Sequence, residues 1–388
     1  MSSSINHAAA QAIAALPVSH RPPVVIGFDG FIDNIIAVVG KRTSATEFTP
    51  VETIAALASR IAAAAGKSTN LELVVKQTKI GGNGPIMASA MASLANAVTT
   101  IGLFGEGGVH PVFAPLATQA EKLINLGPSS VTDALEFDDG KVMLGKLQPL
   151  EAISWKHLLE ATGGIDGLIG LLAPARGIAT VNWTMCLELN DIWAHLDVEV
   201  LPRLPALPAG NGTSSRRLWF VDLADPAKRT AADLQTGLAR LQSLQRQVDV
   251  VLGMNETECR QVLGVLGGTW PDAASEWEAS ALACAAIRDR LGLSWAMCHC
   301  VRSAAVAWAD GLARPRGQVG CPGFFTAKPR ITTGAGDHFN AGFFTALLAG
   351  LEPAHCIQAG GATSGHYVRT GKSPSRIEIT AFLRAENA

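Results

Sequence analysis

A carboxylate begins a predicted helix near the C-terminal end of the chain, directly after two glycines. The segment reads Thr333-Gly334-Ala335-Gly336-Asp337. Phe339, Phe343 and Leu347 follow at intervals of four residues, and this spacing predicts a helix over about 336–349. Free N–H groups and the positive end of the helix dipole at such a start attract an anionic group such as phosphate.

Asp337 would repel a phosphate bound at the same helix start, so this carboxylate needs a separate task. One task is to accept a proton from a hydroxyl group that attacks the phosphate. The other is to cap a buried helix after a glycine turn. The segment alone leaves these two interpretations equally good.

Further polar residues stand where open α/β sheets bind ligands. The apolar run 24–28 predicts a buried parallel strand, and Asp29 and Asp33 follow it directly. A solvated turn is the alternative for an Asp-Gly pair. The turn Gly81-Gly82-Asn83 precedes a second predicted helix, which has Pro85 in its first turn. The amide side chain of Asn83 could bond hydroxyl groups.

Three familiar motifs fail on spacing. Gly66-Lys67-Ser68 and Gly371-Lys372-Ser373 lack the preceding glycine of a P-loop, since Ile61 and His366 stand at that position. Cys298-His299-Cys300 lies in a predicted strand, where neighbouring side chains face opposite ways, so core packing is favoured over a zinc site. No dinucleotide-binding glycine pattern follows the first strand.

Strands and helices alternate along most of the chain, which predicts a doubly wound, mostly parallel sheet flanked by helices. Residues 135–144 predict a hairpin with Asp139-Gly140 at its tip. We therefore expect one large α/β domain over 1–388 with a small β-flap. The flap segments are predicted at about 34–48, 71–80 and 131–150, and a surface loop at 201–215.

Composition narrows the classes of partner. The net charge of −2 and pI of about 6.5 give no basic excess for nucleic acid or an anionic membrane. The sequence contains no apolar run of membrane-spanning length and no evident signal peptide. Seven cysteines without a CxxC pair are typical of reduced thiols. A cytoplasmic location is expected.

The order of these motifs along the chain resembles that of the ribokinase (PfkB) family of sugar and nucleoside kinases. The motifs are the acidic pair, the Gly-Gly-Asn turn, the flap, an Asn255-x-x-Glu258 motif and the C-terminal Gly-Ala-Gly-Asp. The resemblance covers the chain from Val24 onward, and 332–346 is similar to the C-terminal signature of that family. Residues 81–88 look more like the corresponding turn of the ADP-dependent sugar kinases, which share the fold.

The resemblance implies a role for each motif. Asp337 would be the catalytic base, and the backbone amides of Gly334, Ala335 and Gly336 would form an anion hole for the transferred phosphate. Asn255 and Glu258 would organise Mg²⁺, the glutamate through water. The residues implied to grip substrate hydroxyl groups are Asp29, Asp33, Gly82 and Asn83, and Thr333 is counted with the nucleotide-binding residues.

The expected function is an ATP-dependent, Mg²⁺-requiring kinase acting on a primary hydroxyl group of a sugar or related polyol. An ADP-dependent sugar kinase, a nucleoside kinase and a catalytically silent sugar or nucleotide sensor are the alternatives. Ile331 replaces the aspartate that potassium-activated relatives carry two positions before the equivalent of Thr333, which argues against a monovalent cation. The flap could mediate a homodimer or cover only its own site.

Overall fold

The computed structural model, which describes residues 2–208, 216–311 and 314–386, contains two β-sheets. In chain order the strands are β1 (Pro23–Gly27), β2 (Phe31–Arg42), β3 (Phe48–Pro50), β4 (Leu73–Gly81), β5 (Ala97–Gly102), β6 (Lys122–Asn125), β7 (Ser130–Phe137), β8 (Gly140–Lys146), β9 (Gly177–Thr180), β10 (Leu218–Asp222), β11 (Asp249–Asn255), β12 (Trp295–His299), β13 (Ser303–Trp308) and β14 (Gly317–Pro322).

The main sheet has nine strands within the described ranges, in the order β14-β13-β12-β11-β10-β9-β1-β5-β6. Seven of them, from β12 to β6 in that order, pair in parallel, while β13 and β14 add antiparallel strands at one edge. The predicted mostly parallel sheet is therefore confirmed. The apolar runs 293–300 and 304–308 predict a strand pair, and this is confirmed, since β12 and β13 pair antiparallel.

Both faces of the main sheet are buried. Val24 and Ile26 of β1 belong to a hydrophobic cluster on one face, while Val25 between them belongs to a cluster on the other. This alternation follows from the strand period of two residues. Continuous apolar runs such as 24–28 are therefore what this position in the fold requires.

The second sheet joins β3, β2, β7 and β8 in that order, with β4 also paired to β2. The predicted hairpin is present, because β7 and β8 pair antiparallel from Val131 opposite Lys146 to Phe137 opposite Gly140. The three segments predicted for the flap fall largely on these strands. That the sheet covers a substrate stays a prediction.

The chain crosses between the two sheets at glycines. Gly30 separates β1 from β2, Gly82 follows β4, and Gly127 precedes β7. A Cβ atom at Gly30 would lie 2.1 Å from the Leu103 carbonyl oxygen, so a side chain cannot be accommodated there. Asp33, predicted just past the end of β1, lies within the long strand β2, so the alternative of a solvated turn is wrong for this residue.

Helices flank the sheets, and one of them packs on the second sheet through Leu57. They are α1 (Ser2–Ala14), α2 (Ile54–Ala63), α3 (Asn83–Ser93), α4 (Ala114–Gln119), α5 (Trp155–Thr162), α6 (Gly164–Leu172), α7 (Leu189–His195), α8 (Ala231–Leu244), α9 (Glu256–Val265), α10 (Glu276–Leu291), α11 (Ala335–Leu348), α12 (Pro353–Thr370) and α13 (Arg376–Ala385). Among the described helices none is long and apolar enough to cross a membrane.

The predicted loop 201–215 lies partly outside the described residues. Within its described part, Leu201 and Leu207 are buried and Leu201–Arg203 forms a short turn of 3₁₀ helix. These two side chains anchor the segment, while five of its eight described residues are exposed, so the described part lies at the surface as predicted.

Candidate active site

The start of α11 is shaped by a glycine in the left-handed region. Gly334 is the N-cap residue with φ of 87°, and it contributes no side-chain cap. A Cβ atom at this position would lie 3.3 Å from both Ile86 Cγ2 and the Tyr367 hydroxyl oxygen. Both the backbone dihedral and the lack of space therefore require glycine here.

Two of the three amides predicted for the anion hole are free. The N–H groups of Gly334 and Gly336 have no hydrogen-bond partner among the described residues. The N–H group of Ala335, in contrast, donates to the Thr332 carbonyl oxygen over 3.1 Å. The expectation for Ala335 is corrected to this extent, because a turn already uses its amide.

Asp337 sits in the first turn of α11 and is buried. Its Oδ1 atom accepts a hydrogen bond from Asn83 Nδ2 over 2.8 Å, which fixes the orientation of the carboxyl group. Burial raises the pKa of Asp337 to about 8, and the charges of Asp29 and Glu258 act in the same direction, although the Asn83 bond opposes them. Such a group can take up a proton near neutral pH.

Asp29 caps α3 from a distance of more than fifty residues along the chain. Its Oδ2 accepts from the Asn83 N–H over 2.9 Å and its Oδ1 from the Gly84 N–H over 2.7 Å. Asn182 Nδ2 donates a third bond, of 2.7 Å, to Oδ2. Because the N-cap residue Gly82 has no side chain, Asp29 supplies the acceptor that α3 lacks. A contact with a substrate hydroxyl group stays a prediction.

Asp33 projects from β2 toward the glycine turn. A Cβ atom at Gly81 would lie 2.3 Å from its Oδ1, so the carboxyl group occupies the space beside that glycine. Burial raises the pKa of Asp33, while Lys79 opposite it in the strand pair favours its charged form. Gly82 next in the chain has φ of 89°, which brings Asn83 back toward α11.

Asn255 and Glu258 form a reciprocal capping box at the start of α9. The Asn255 side chain accepts from the Glu258 N–H over 3.0 Å, and Glu258 Oε2 accepts from the Asn255 N–H over 2.9 Å. Glu258 Oε1 also accepts from Asn255 Nδ2 and from the Asp225 N–H. These bonds explain the motif structurally, so a metal role for the pair stays a prediction.

The structure adds a carboxylate that the sequence prediction missed as a site residue. Asp222 ends β10, is buried, and accepts a hydrogen bond of 2.6 Å from Asn340 Nδ2. Burial raises its pKa well above the usual value, and the charges of Glu258 and Asp337 add to this. The signal was present, because Asp222 follows an apolar strand at the same sheet edge as Asp29.

The donor chemistry at this edge suits Mg²⁺. Asp222, Glu258 and Asp337 are buried carboxyl groups whose pKa values are raised chiefly by burial, and the charge of Glu258 adds to the shifts of the other two. Oxygen ligands are those that Mg²⁺ prefers, and one or two carboxylates are sufficient when water completes the shell. The described residues also contain a different group that could hold a metal ion. It consists of Glu256, Glu276 and Cys300, which each offer one ligand atom within 4.8 Å of the others.

A cavity of about 500 Å³ opens beside the start of α11. It is lined by polar groups at the helix starts, including Asn255 and Gly336, and by apolar side chains farther away. Thr332 lines this cavity, whereas the predicted nucleotide-binding residue Thr333 does not.

The side chains of Cys298, His299 and Cys300 face alternate ways, as the sequence predicts. His299 packs on Phe339, while the sulfur atoms of the two cysteines lie 3.9 Å apart.

Comparison with known proteins places this arrangement among sugar kinases. A family profile described as prokaryotic ketohexokinase matches residues 2–385. A ketohexokinase from Haloferax volcanii is 31% identical over 363 residues, which cover 92% of this chain and 90% of the relative.

Solved structures agree on the fold. A carbohydrate kinase from Agrobacterium tumefaciens has a TM-score of 0.60 at 16% identity, with 93% of this chain and 97% of that chain covered. Ribokinase of Arabidopsis thaliana, solved with ribose and ATP, has a TM-score of 0.57 at 16% identity, with 94% and 99% covered. The predicted ribokinase-like fold is confirmed.

Proposed function

Because the chain belongs to the prokaryotic ketohexokinase family and is therefore an ATP-binding carbohydrate kinase, we propose that it transfers the terminal phosphate of ATP to a primary hydroxyl group of a ketohexose. The observation that carries the proposal is the start of α11. There a buried carboxyl group with a raised pKa stands in the same helical turn as two free amides.

The acceptor hydroxyl group would bind beside Asp337, on the side of the Gly-Gly-Asn turn. The Asn83 amide bonds Oδ1 of the carboxyl group over 2.8 Å, and the carboxyl group thus oriented would accept the hydroxyl proton. Asp33 on β2 would bind another sugar hydroxyl group, because its buried carboxyl group keeps acceptor capacity near the turn. The second sheet would then cover the sugar as a lid.

The nucleotide would occupy the cavity of about 500 Å³. Its terminal phosphate would reach the free N–H groups of Gly334 and Gly336, which stabilise the negative charge that spreads over the phosphate oxygens during transfer. The helix dipole of α11 adds to this effect. Phosphoryl transfer depends mainly on such positioning and charge stabilisation, which matches the groups present.

Mg²⁺ would be held at the edge formed by Asp222 and the start of α9, with Glu258 acting through water. Bound there, it would neutralise the phosphate charges of the nucleotide. Asn255 would keep Glu258 in place through the capping box. These roles rest on the oxygen-rich donor set and on the mutual repulsion of the buried carboxyl groups.

A donor and acceptor screen tests the proposal. ATP and ADP are each offered with fructose, glucose, ribose and adenosine in the presence of Mg²⁺, and the products are read by ³¹P NMR. We expect a new phosphomonoester signal from ATP with the ketohexose. Transfer only from ADP, only to the nucleoside, or to none of these acceptors would contradict the proposal.

A further inference from the structure

Two side chains hold the carbonyl groups on either side of Gly334. The Tyr367 hydroxyl group donates to the Thr333 carbonyl oxygen over 2.9 Å. His338 Nδ1 lies 2.7 Å from the Gly334 carbonyl oxygen, which also accepts from the His338 N–H over 3.1 Å. The Tyr367 and His338 rings stack, with their planes 12° apart.

The tautomer of His338 follows from its partners. A carbonyl oxygen only accepts, so Nδ1 carries the proton and donates to Gly334. Nε2 is then the acceptor, and the Ser373 hydroxyl group donates to it over 2.8 Å. Burial lowers the pKa of His338 to about 4, which keeps the ring neutral and this assignment stable near neutral pH.

These bonds fix the direction of the anion-hole amide. A peptide unit is planar, so the Thr333 carbonyl group and the free Gly334 N–H point in opposite directions within one rigid plane. Holding the carbonyl oxygen therefore aims the N–H. Glycine adopts φ of 87° without strain, but because it has no Cβ atom to restrict φ, it does not by itself stay at that value. Both peptide planes that meet at Gly334 are held by side chains.

We propose that Tyr367, His338 and Ser373 are positioning residues that aim the Gly334 amide at the transferred phosphate. This inference rests on the proposed function, in which that amide belongs to the anion hole. None of the three side chains needs to touch the substrate, since each acts through the backbone of 333–335.

Tyr367→Phe tests the inference directly, because it keeps the stacked ring and removes only the hydroxyl group. Loss of a whole anion-hole donor lowers kcat by about 10²- to 10³-fold, so loosening one is expected to lower kcat by about 10- to 100-fold. KM for sugar and nucleotide should stay within about twofold, because the weakened interaction is made only in the transition state and not with the bound substrates. Ser373→Ala should give a smaller decrease of the same kind.

Thr363→Val is the matched control. Thr363 lies on the same helix α12, is buried, and donates its hydroxyl group to the Ala359 carbonyl oxygen over 2.7 Å. The substitution removes an equivalent hydrogen bond without touching 333–335, so kcat should remain close to that of the unaltered enzyme. Equal kcat in Tyr367→Phe and Thr363→Val would overturn the inference, as would a decrease that is entirely in KM.

A second measurement does not depend on turnover. Tyr367 is the only tyrosine of the chain, so enzyme labelled with 3-fluorotyrosine gives a single ¹⁹F resonance. Ketohexose, ADP and aluminium fluoride are then added, the last as a mimic of the phosphate in transfer. We expect the resonance to shift, because the anion would bind the Gly334 N–H of the peptide unit whose carbonyl oxygen accepts the Tyr367 hydrogen bond. An unchanged resonance in labelled enzyme would contradict the inference.

The two proposals fail in different ways. If the unaltered enzyme phosphorylates no ketohexose, the proposed function is wrong. If it is active but Tyr367→Phe keeps full kcat, only the positioning role is wrong. His338→Asn, which retains an N–H donor near the place of Nδ1, should keep more activity than His338→Leu, and the reverse order would count against the positioning role.

Discussion

The starts of α9 and α11 place an acidic residue at the same helical position with opposite results. In α9, Asn255 and Glu258 satisfy each other's backbone N–H groups. In α11, Gly334 has no side chain to cap the helix, and two N–H groups remain free. Asp337, which stands where Glu258 stands in α9, is instead bonded by a side chain from another element.

The difference teaches where to look for chemistry in this fold. A helix start that is closed by its own side chains is stabilised and has fewer free N–H groups left to bind an anion. A start that is left open lacks these stabilising bonds and keeps donors for a ligand. The contrast between asparagine and glycine at the two N-cap positions therefore separates a helix start whose N–H groups are satisfied by its own side chains from one that keeps donors for a ligand.

The largest effect is expected from Asp337→Asn, which keeps the shape of the open start and removes its base. We expect kcat to decrease by about 10³-fold or more, because an amide cannot accept the hydroxyl proton. Steady-state kinetics and circular dichroism are the measurements. A folded variant with near-normal turnover would show that Asp337 is not the base.

Gly334→Ala disturbs the open start without removing a functional group. Its Cβ atom would crowd Ile86 and the Tyr367 hydroxyl group at 3.3 Å, so we expect kcat to decrease by about 10²-fold. Gly292→Ala is the control, because Gly292 also has a positive φ, of 63°, but nothing lies within 4 Å of its Cβ position. Both variants should lose stability, and a similar loss of kcat in both would refute the specific effect.

Asn255→Ala opens the closed start. We expect the free energy of unfolding to decrease by about 1–2 kcal/mol, because the cap of α9 is lost, and the Mg²⁺ concentration for half-maximal rate to rise. Ser375→Ala removes the capping box of α13 and should lower stability similarly without altering the Mg²⁺ dependence. Chemical denaturation and Mg²⁺ titrations separate the two effects. An unchanged Mg²⁺ requirement in Asn255→Ala would remove the metal role.

The smallest effect is on the pH dependence of stability without Mg²⁺ or nucleotide. The pKa of Asp337 is raised to about 8 in the folded protein, against an ordinary aspartate value of 3.8. The folded state therefore binds the proton more tightly, and the contribution of this group to stability decreases as pH rises from about 4 to 8. Asp337→Asn should thus gain in melting temperature over the unaltered enzyme across this range. A constant difference between the two would contradict the raised pKa.

Much of the main sheet was predictable, because its strands are apolar runs that end in polar residues. The runs 24–28, 218–222 and 248–252 show that pattern and predict strands, which are found as β1, β10 and β11. Helices α12 and α13 were not predicted. Gly360 is one cause, because a glycine within a helix weakens the sequence signal for α12. The structure needs this glycine, since a Cβ atom at Gly360 would lie 2.9 Å from the Phe339 carbonyl oxygen.

The site was predicted in part. Asp337 and the glycines before it carry a local signal in their spacing. The capping of α3 by Asp29 has no such signal, because the two partners are more than fifty residues apart in the chain. Asp222 became a site candidate only when β10 was placed between β9 and β11, next to Glu258. Contacts across the sheet edge depend on strand order, which spacing alone does not determine.

One of the glycine crossings links the second sheet to Asp337, the proposed base. Gly82 is one of these crossings, and the next residue, Asn83, donates the bond that lowers the pKa of Asp337. If this amide moved away, the carboxyl group would hold its proton more tightly, because the bond that favours its charged form would be lost. The glycine turn thus links the end of β4 to the protonation state of Asp337.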